Sequence, residues 1–216
     1  MRRLLAGLAV AGLAFALGAA EAKEKPKGKG QGSALTLADV NSCLGLNNST
    51  PAEQVAACTK VLTSGKVKKG FDGEYYASRA AAYTMLREYD KALADLNKAL
   101  ETRQTVEIYF QRAILYAGLQ NSDASKKDFD QVLKMKPGFA AAHLMRGSIA
   151  YREGDFKAAL TDFDAAVKSS PKYAQAIYAR GLAKKKTGDE SGGDKDLAEA
   201  RGMSANVEAD VKKIGL

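Results

Sequence analysis

The chain has 216 residues, with 33 Lys and Arg against 25 Asp and Glu (net charge +8), two Cys, one His and no Trp. That length supports one or two domains with a substantial core, and 46% hydrophobic with 27% charged residues describes a globular chain, not a disordered one. One His and two Cys exclude most zinc sites, His-centred catalysis and a disulfide-dense scaffold, and sparse Val, Ile and Thr in the body argue against a sandwich of short strands.

The chain opens Met1-Arg2-Arg3, runs apolar from Leu4 to Leu17 and then reads Gly18-Ala19-Ala20-Glu21-Ala22. A charged start, an apolar middle and a small-residue exit make the pattern of a secretory signal peptide. The run is short of the roughly 20 apolar residues that a membrane span needs, which sets the signal peptide above a retained anchor helix. Residues 1–22 are therefore expected to be a signal peptide cleaved before Lys23, with cleavage after Ala20 as the near alternative. No later stretch is long and apolar enough to span a bilayer, so the processed chain is expected to be soluble and periplasmic or secreted. Residues 23–33, Lys-Glu-Lys-Pro-Lys-Gly-Lys-Gly-Gln-Gly-Ser, read as a flexible basic linker. Gly28, Gly30 and Gly32 echo a phosphate loop, but no strand precedes them and no matching helix-start chemistry follows.

Cys43 and Cys58 are the only cysteines. In an exported chain they most simply form one disulfide; a redox pair would need C-x-x-C spacing and a sheet context, which are missing. Thr50 can cap a helix and Pro51 suits its first position, so residues 51–63 are expected to be helical with Val55, Cys58 and Leu62 on one side. Cys43 would reach Cys58 from a helix or turn at 36–45. Segment 34–72 is read as a disulfide-stapled helical cap or a degenerate repeat.

Self-similarity governs the rest. Arg79, Arg112, Arg146 and Arg180 are 33, 34 and 34 residues apart in matching contexts, and sixteen residues after each stands an Asp: Asp95, Asp128, Asp162 and Asp196. Small residues recur at Ala80, Ala113, Gly147 and Gly181, and again at Ala92, Ser125, Ala159 and Gly193, where two helices must approach closely. Leu96, Phe129, Phe163 and Leu197 form an apolar column, Gly154-Asp155 and Gly188-Asp189 mark turns, and Pro137 and Pro171 close two units. The units are 73–105, 106–139, 140–173 and 174–207, each a pair of helices. The sixteen-residue spacing predicts one Arg–Asp contact per unit that fixes helix registry; a partner in the neighbouring unit is the alternative.

This pattern resembles the tetratricopeptide repeat, and its whole looks most like exported members from Gram-negative bacteria. The resemblance implies an all-α, right-handed superhelical solenoid of stacked antiparallel helix pairs, with residues 208–216 as a C-terminal capping helix. Gln104 and Ala205 depart from the closing Pro, and the first unit is one residue short. In this family the first helices line a concave groove. The resemblance therefore places Phe110, Ile114, Leu144, Met145, Ser148, Tyr151, Tyr178 and Leu182 there, with Arg152, Lys185 and Lys186 adding positive charge; each of these can instead belong to the core between repeats. The family's charged clamp for acidic C-termini is missing, because Ala77, Ala81, Phe110, Ile114, Leu144 and Ser148 hold its places.

The resulting expectation is a non-enzymatic adaptor or scaffold that binds a protein or peptide in its groove, without cofactor, metal or nucleic acid; self-association stays open. The alternative is a basic envelope protein binding an anionic polymer through Lys66, Lys68, Lys69, Lys184, Lys185, Lys186, Lys212 and Lys213. His143 falls in a column with Tyr76, Tyr109 and Ile177 and reads as an aromatic substitute in packing, not as a base.

Overall fold

The computed structural model describes residues 34–216; the expected signal peptide (1–22) and basic linker (23–33) lie outside the described residues. Among the described residues every regular element is a helix, in the order α1 (Leu37–Cys43), α2 (Pro51–Thr63), α3 (Asp72–Met85), α4 (Tyr89–Thr102), α5 (Val106–Gly118), α6 (Ser122–Met135), α7 (Ala140–Arg152), α8 (Phe156–Ser169), α9 (Ala174–Lys186), α10 (Glu190–Met203) and α11 (Val207–Lys213). Local chemistry sets several of the starts. Thr36 and Thr50 each close a capping box, with Asp39 and Glu53 reaching back to the cap N–H, and Pro51 begins α2. Asn121, Asp155 and Asp189 cap α6, α8 and α10 through their side-chain oxygens.

The helices pair in chain order: α1 with α2, α3 with α4, α5 with α6, α7 with α8, and α9 with α10. Each pair packs on the next, and successive first helices (α1, α3, α5, α7, α9) touch one another along one side. The result is an all-α solenoid of stacked antiparallel helix pairs, in which each pair buries a face on its neighbour.

Small residues allow the close pairing. Ala80, Ala92, Ala113, Ser125, Ala159, Gly147, Gly181 and Gly193 are all buried. A Cβ on Gly147 would sit 2.7 Å from the Phe163 ring, and one on Gly181 would sit 2.9 Å from the Gly193 carbonyl oxygen. Ser125 spends its hydroxyl on the Ala113 carbonyl at 2.8 Å, so even this buried polar group is satisfied. Leu96, Phe129 and Phe163 fill the space between. The turn inside each of the four later pairs has one left-handed residue. Gly154 and Gly188 supply it at φ 85° and 97°, whereas Arg87 and Gln120 adopt it at φ 62° with a side chain in place.

The N-terminal pair is stapled. Cys43, at the end of α1, is disulfide-bonded to Cys58 in the middle of α2, and both are buried with Ala57 and Val61. Lys60 also bridges to Asp39 at 2.7 Å, tying the two helices a second time. No helix among the described residues is long and apolar enough to cross a membrane.

Candidate functional site

The Arg and Asp columns come together as a ladder inside the stack. Arg79 donates through Nε and Nη2 to the two oxygens of Asp95 at 2.7 and 2.8 Å. Arg112 holds Asp128 in the same fork at 2.7 Å twice, Arg146 holds Asp162 at 2.9 and 2.7 Å, and Arg180 holds Asp196 at 2.6 and 2.8 Å. All four carboxylates are buried. Bidentate geometry uses both oxygens and fixes the angle between the two helices of a pair. The hydrogen bonds that each guanidinium donates to its Asp hold it above the ordinary arginine range. Burial alone would raise the Asp196 carboxyl, but hydrogen bonds from Arg180 and Lys184 outweigh it and leave the group below the usual carboxylate range.

The third guanidinium nitrogen crosses to the preceding pair. Nη1 meets Thr59 Oγ1 from Arg79 at 3.0 Å, Asn97 Oδ1 from Arg112 at 2.7 Å and Asp130 Oδ1 from Arg146 at 2.6 Å; from Arg180 it lies 3.6 Å from Asp164. Own-unit and neighbouring-unit partners, posed as alternatives by the sequence, are thus combined in one side chain. Asn97, Asp130 and Asp164 each stand two residues after the Asp column. That polar column was visible in the sequence and would have disclosed the second partner.

Neighbours vary this theme. Tyr76 and Tyr83 flank Arg79, and Tyr109 and Tyr116 flank Arg112, at 5.6–5.9 Å from ring centroid to guanidinium. In the third unit His143 takes the first tyrosine's place. It is not an apolar filler: Nδ1 lies 2.9 Å from Asp162 Oδ1 and Nε2 lies 2.9 Å from the Pro137 carbonyl oxygen. Both ring nitrogens are engaged in the scaffold. In the fourth unit Lys184 takes the second tyrosine's place and bonds Asp196 at 2.9 Å.

The expected groove residues divide into two sets. Leu144, Ser148 and Tyr178 are buried, at 2%, 1% and 5% exposure, so they belong to the core and do not line an open groove. Leu144 packs among Ala176 and Ala179 of the next pair, Ser148 turns its hydroxyl onto the Leu144 carbonyl at 2.7 Å, and Tyr178 lies with Val207 and Val211. Leu182 is half-buried against that same cluster. Phe110, Ile114, Met145 and Tyr151 keep partial exposure. Phe110 has its ring against Phe129 and Phe139, and Tyr151 against Phe156. With Ala77 and Ala81 of α3, these partly exposed apolar residues run across α3, α5 and α7. Arg152 is exposed, and Lys186 lies over the Phe156 ring.

Four of the eight lysines of the basic set are paired with acidic groups within the chain, Lys184 with Asp196 among them. Lys185 pairs with Asp194 at 2.6 Å and Glu190 at 3.2 Å, Lys212 with Glu208 at 3.1 Å, and Lys213 with Asp210 at 2.7 Å. Among the described residues no group of three or more His, Cys, Asp and Glu is arranged to hold a metal ion.

Residues 110–183 match the family model of the tetratricopeptide repeat. Sequence relatives carry the same repeat. The tetratricopeptide repeat and J domain-containing co-chaperone DNJ1 of Cryptococcus neoformans is 36% identical over 72 residues, covering 33% of this chain and 14% of that protein. The TPR repeat-containing protein MJ1345 of Methanocaldococcus jannaschii is 33% identical over 63 residues, covering 29% of this chain and 20% of that one. The matched part is therefore a small fraction of these relatives' length. Among solved structures, MamA 41-end from Desulfovibrio magneticus RS-1 superposes with a TM-score of 0.70 at 15% identity, over 81% of this chain and 97% of that one. YrrB, titled a TPR protein with an unusual peptide-binding site, superposes with a TM-score of 0.61 at 18% identity, over 82% and 87%. At such identities these structures speak for the fold, a tetratricopeptide-like solenoid.

Proposed function

We propose that this chain is a non-enzymatic scaffold of the exported compartment that binds a protein segment along the inner face of its first helices. The observation that carries the reading is the row of partly exposed apolar side chains, Ala77, Ala81, Phe110, Ile114 and Met145, on successive helices that touch one another along one side. An apolar strip held by this ladder suits an extended or helical segment of another protein. The ladder itself offers no chemistry, since each Asp is consumed by a guanidinium fork. The peptide-binding site named for YrrB and the co-chaperone role named for the fungal relative accord with this reading. Localisation rests on the sequence of residues 1–22 alone.

Site-specific photocrosslinking in intact cells tests it. A photoreactive residue at Ala81 or Ile114 is expected to give discrete protein adducts in the exported fraction, while one at exposed Lys127 on α6 gives none. Equal adducts from both faces, or none from the inner face, would count against a groove-bound partner.

A further inference from the structure

The last helix does not continue the stack as the others do. At each earlier junction from α2 to α9, the incoming first helix lies mainly on the preceding second helix and touches the preceding first helix less. In α11 this order is reversed: it rests mainly on α9 and only lightly on α10. Val207 and Val211 are buried beside Ile177, Tyr178 and Leu197. Ile214 and Leu216 pack both on that cluster and on the adjoining one, which holds Leu144 and Tyr151. A Cβ on Gly215 would come within 2.6 Å of Arg152 Cδ, so the turn after α11 lies against the last turn of α7. The segment lies over α9, and the turn after it reaches α7.

The positions it covers include those that the repeat pattern assigns to the groove, Tyr178 and Leu182 above all. The occupant has a definite chemistry. Val207, Val211 and Ile214 stand at i, i+4 and i+7, one stripe of a helix, while Lys212 and Lys213 face solvent. Its polar ties to the rest of the molecule are thin: Arg201 to Glu208 at 3.5 Å joins two half-exposed side chains, where water screens the pair. No side chain caps its start, and seven residues are too few to hold a helix in isolation. Apolar contact with the seat is what keeps it in place.

We infer that the inner face of α7 and α9 is a seat for an amphipathic helix bearing branched aliphatic residues at i, i+4 and i+7, that α11 is its built-in occupant, and that a partner helix of the same pattern binds by displacing α11. This deepens the scaffold reading and rests on it: the apolar strip on α3, α5 and α7 stays open, while its continuation is closed until exchange occurs.

The probe is a fluorescein-labelled synthetic peptide of residues 204–216, with a control peptide carrying Val211→Asp. The protein is the full chain, either unaltered or with Ile214→Asp and Leu216→Asp together. The double variant is expected to keep its helical circular dichroism and cooperative melting and to bind the peptide at least tenfold more tightly than the unaltered chain, with the control peptide silent in both. Leu216→Ala alone, a milder change, is expected to give a smaller gain in the same direction. If both variants lose cooperative melting, α11 is an integral part of the fold and the inference fails. It fails equally if either folded variant binds no better than the unaltered chain. Position-specific crosslinks at Ala81 and Ile114 alongside such a failure would leave the scaffold reading standing, whereas their loss as well would remove both.

Discussion

Two helical glycines illustrate how one substitution changes sign with its surroundings. Gly202, in the last turn of α10, is exposed, and a Cβ there meets nothing within 4 Å. Gly147, in α7, faces Phe163, where a Cβ would intrude to 2.7 Å on the ring and 3.0 Å on Asp162 Cβ. Alanine gains about 1 kcal/mol over glycine in a helix interior by restricting the unfolded chain. Overfilling a packed contact costs about 1–3 kcal/mol. Gly202→Ala is therefore expected to stabilise by about 0.5 kcal/mol, the gain being reduced near the helix end. Gly147→Ala is expected to destabilise by about 1 kcal/mol, because the Phe163 ring is itself fully buried and has nowhere to turn. Urea midpoints of the two variants should move to opposite sides of the parent; a higher midpoint for Gly147→Ala would show that the α7–α8 contact is looser than its geometry, and a lower one for Gly202→Ala would overturn the helix-propensity argument. The ladder obeys the same local logic. A buried carboxylate is costly alone, and each Asp here is tolerable because a guanidinium takes both of its oxygens.

At the scale of elements, the first pair differs from the rest. α1 has only seven residues, and no Arg–Asp fork joins it to α2; the Cys43–Cys58 disulfide and the Lys60–Asp39 bridge do that work. Closing a loop with a sequence separation of 15 contributes about 3 kcal/mol in the loop-entropy account. Replacing both cysteines by serine is expected to release α1 and α2 while α5 to α8 keep their amide protection in hydrogen exchange, since a stacked array transmits stability only between neighbours. Loss of protection throughout the chain would instead make the first pair a nucleus for the whole. The pairing of helices was legible in the sequence because columns repeat: Arg79, Arg112, Arg146 and Arg180, with their Asp partners, recur at nearly constant spacing. The turn residues were half legible. Gly154 and Gly188 announce a left-handed turn, but Arg87 and Gln120 occupy the equivalent place with no sign in their chemistry. The groove was the least legible. Whether Tyr178 faces a partner or the core depends on where α11 comes to rest, and no periodicity within α9 encodes that.

Among the described residues the helix pairs form a line, and the acid response should differ along it. Asp39 is held down to about 2 by hydrogen bonds from Lys60 and Thr36. Glu53 is lowered by the Thr50 N–H, Asp196 by Arg180 and Lys184 against the opposing effect of burial, and Glu208 by Lys212. These groups stand in α1, α2, α10 and α11, in the first and last described pairs and the short helix that follows them. Each carboxyl binds its proton less readily folded than unfolded. The stability it lends is complete above the unfolded values of about 4 and is withdrawn as the pH falls below them, for Asp39 continuing down to about 2. Linear arrays fray where a unit has one neighbour instead of two. Lowering the pH from 6 to 3 is therefore expected to strip amide protection from α1, α2, α10 and α11 before α5 to α8. Asp39→Asn should remove part of the N-terminal response, because it replaces the titrating carboxylate and weakens both the Lys60 bridge and the capping box at every pH. A uniform loss of protection along the chain would mean that the ladder melts as one unit, and that its buried forks, not the ends, set the acid limit.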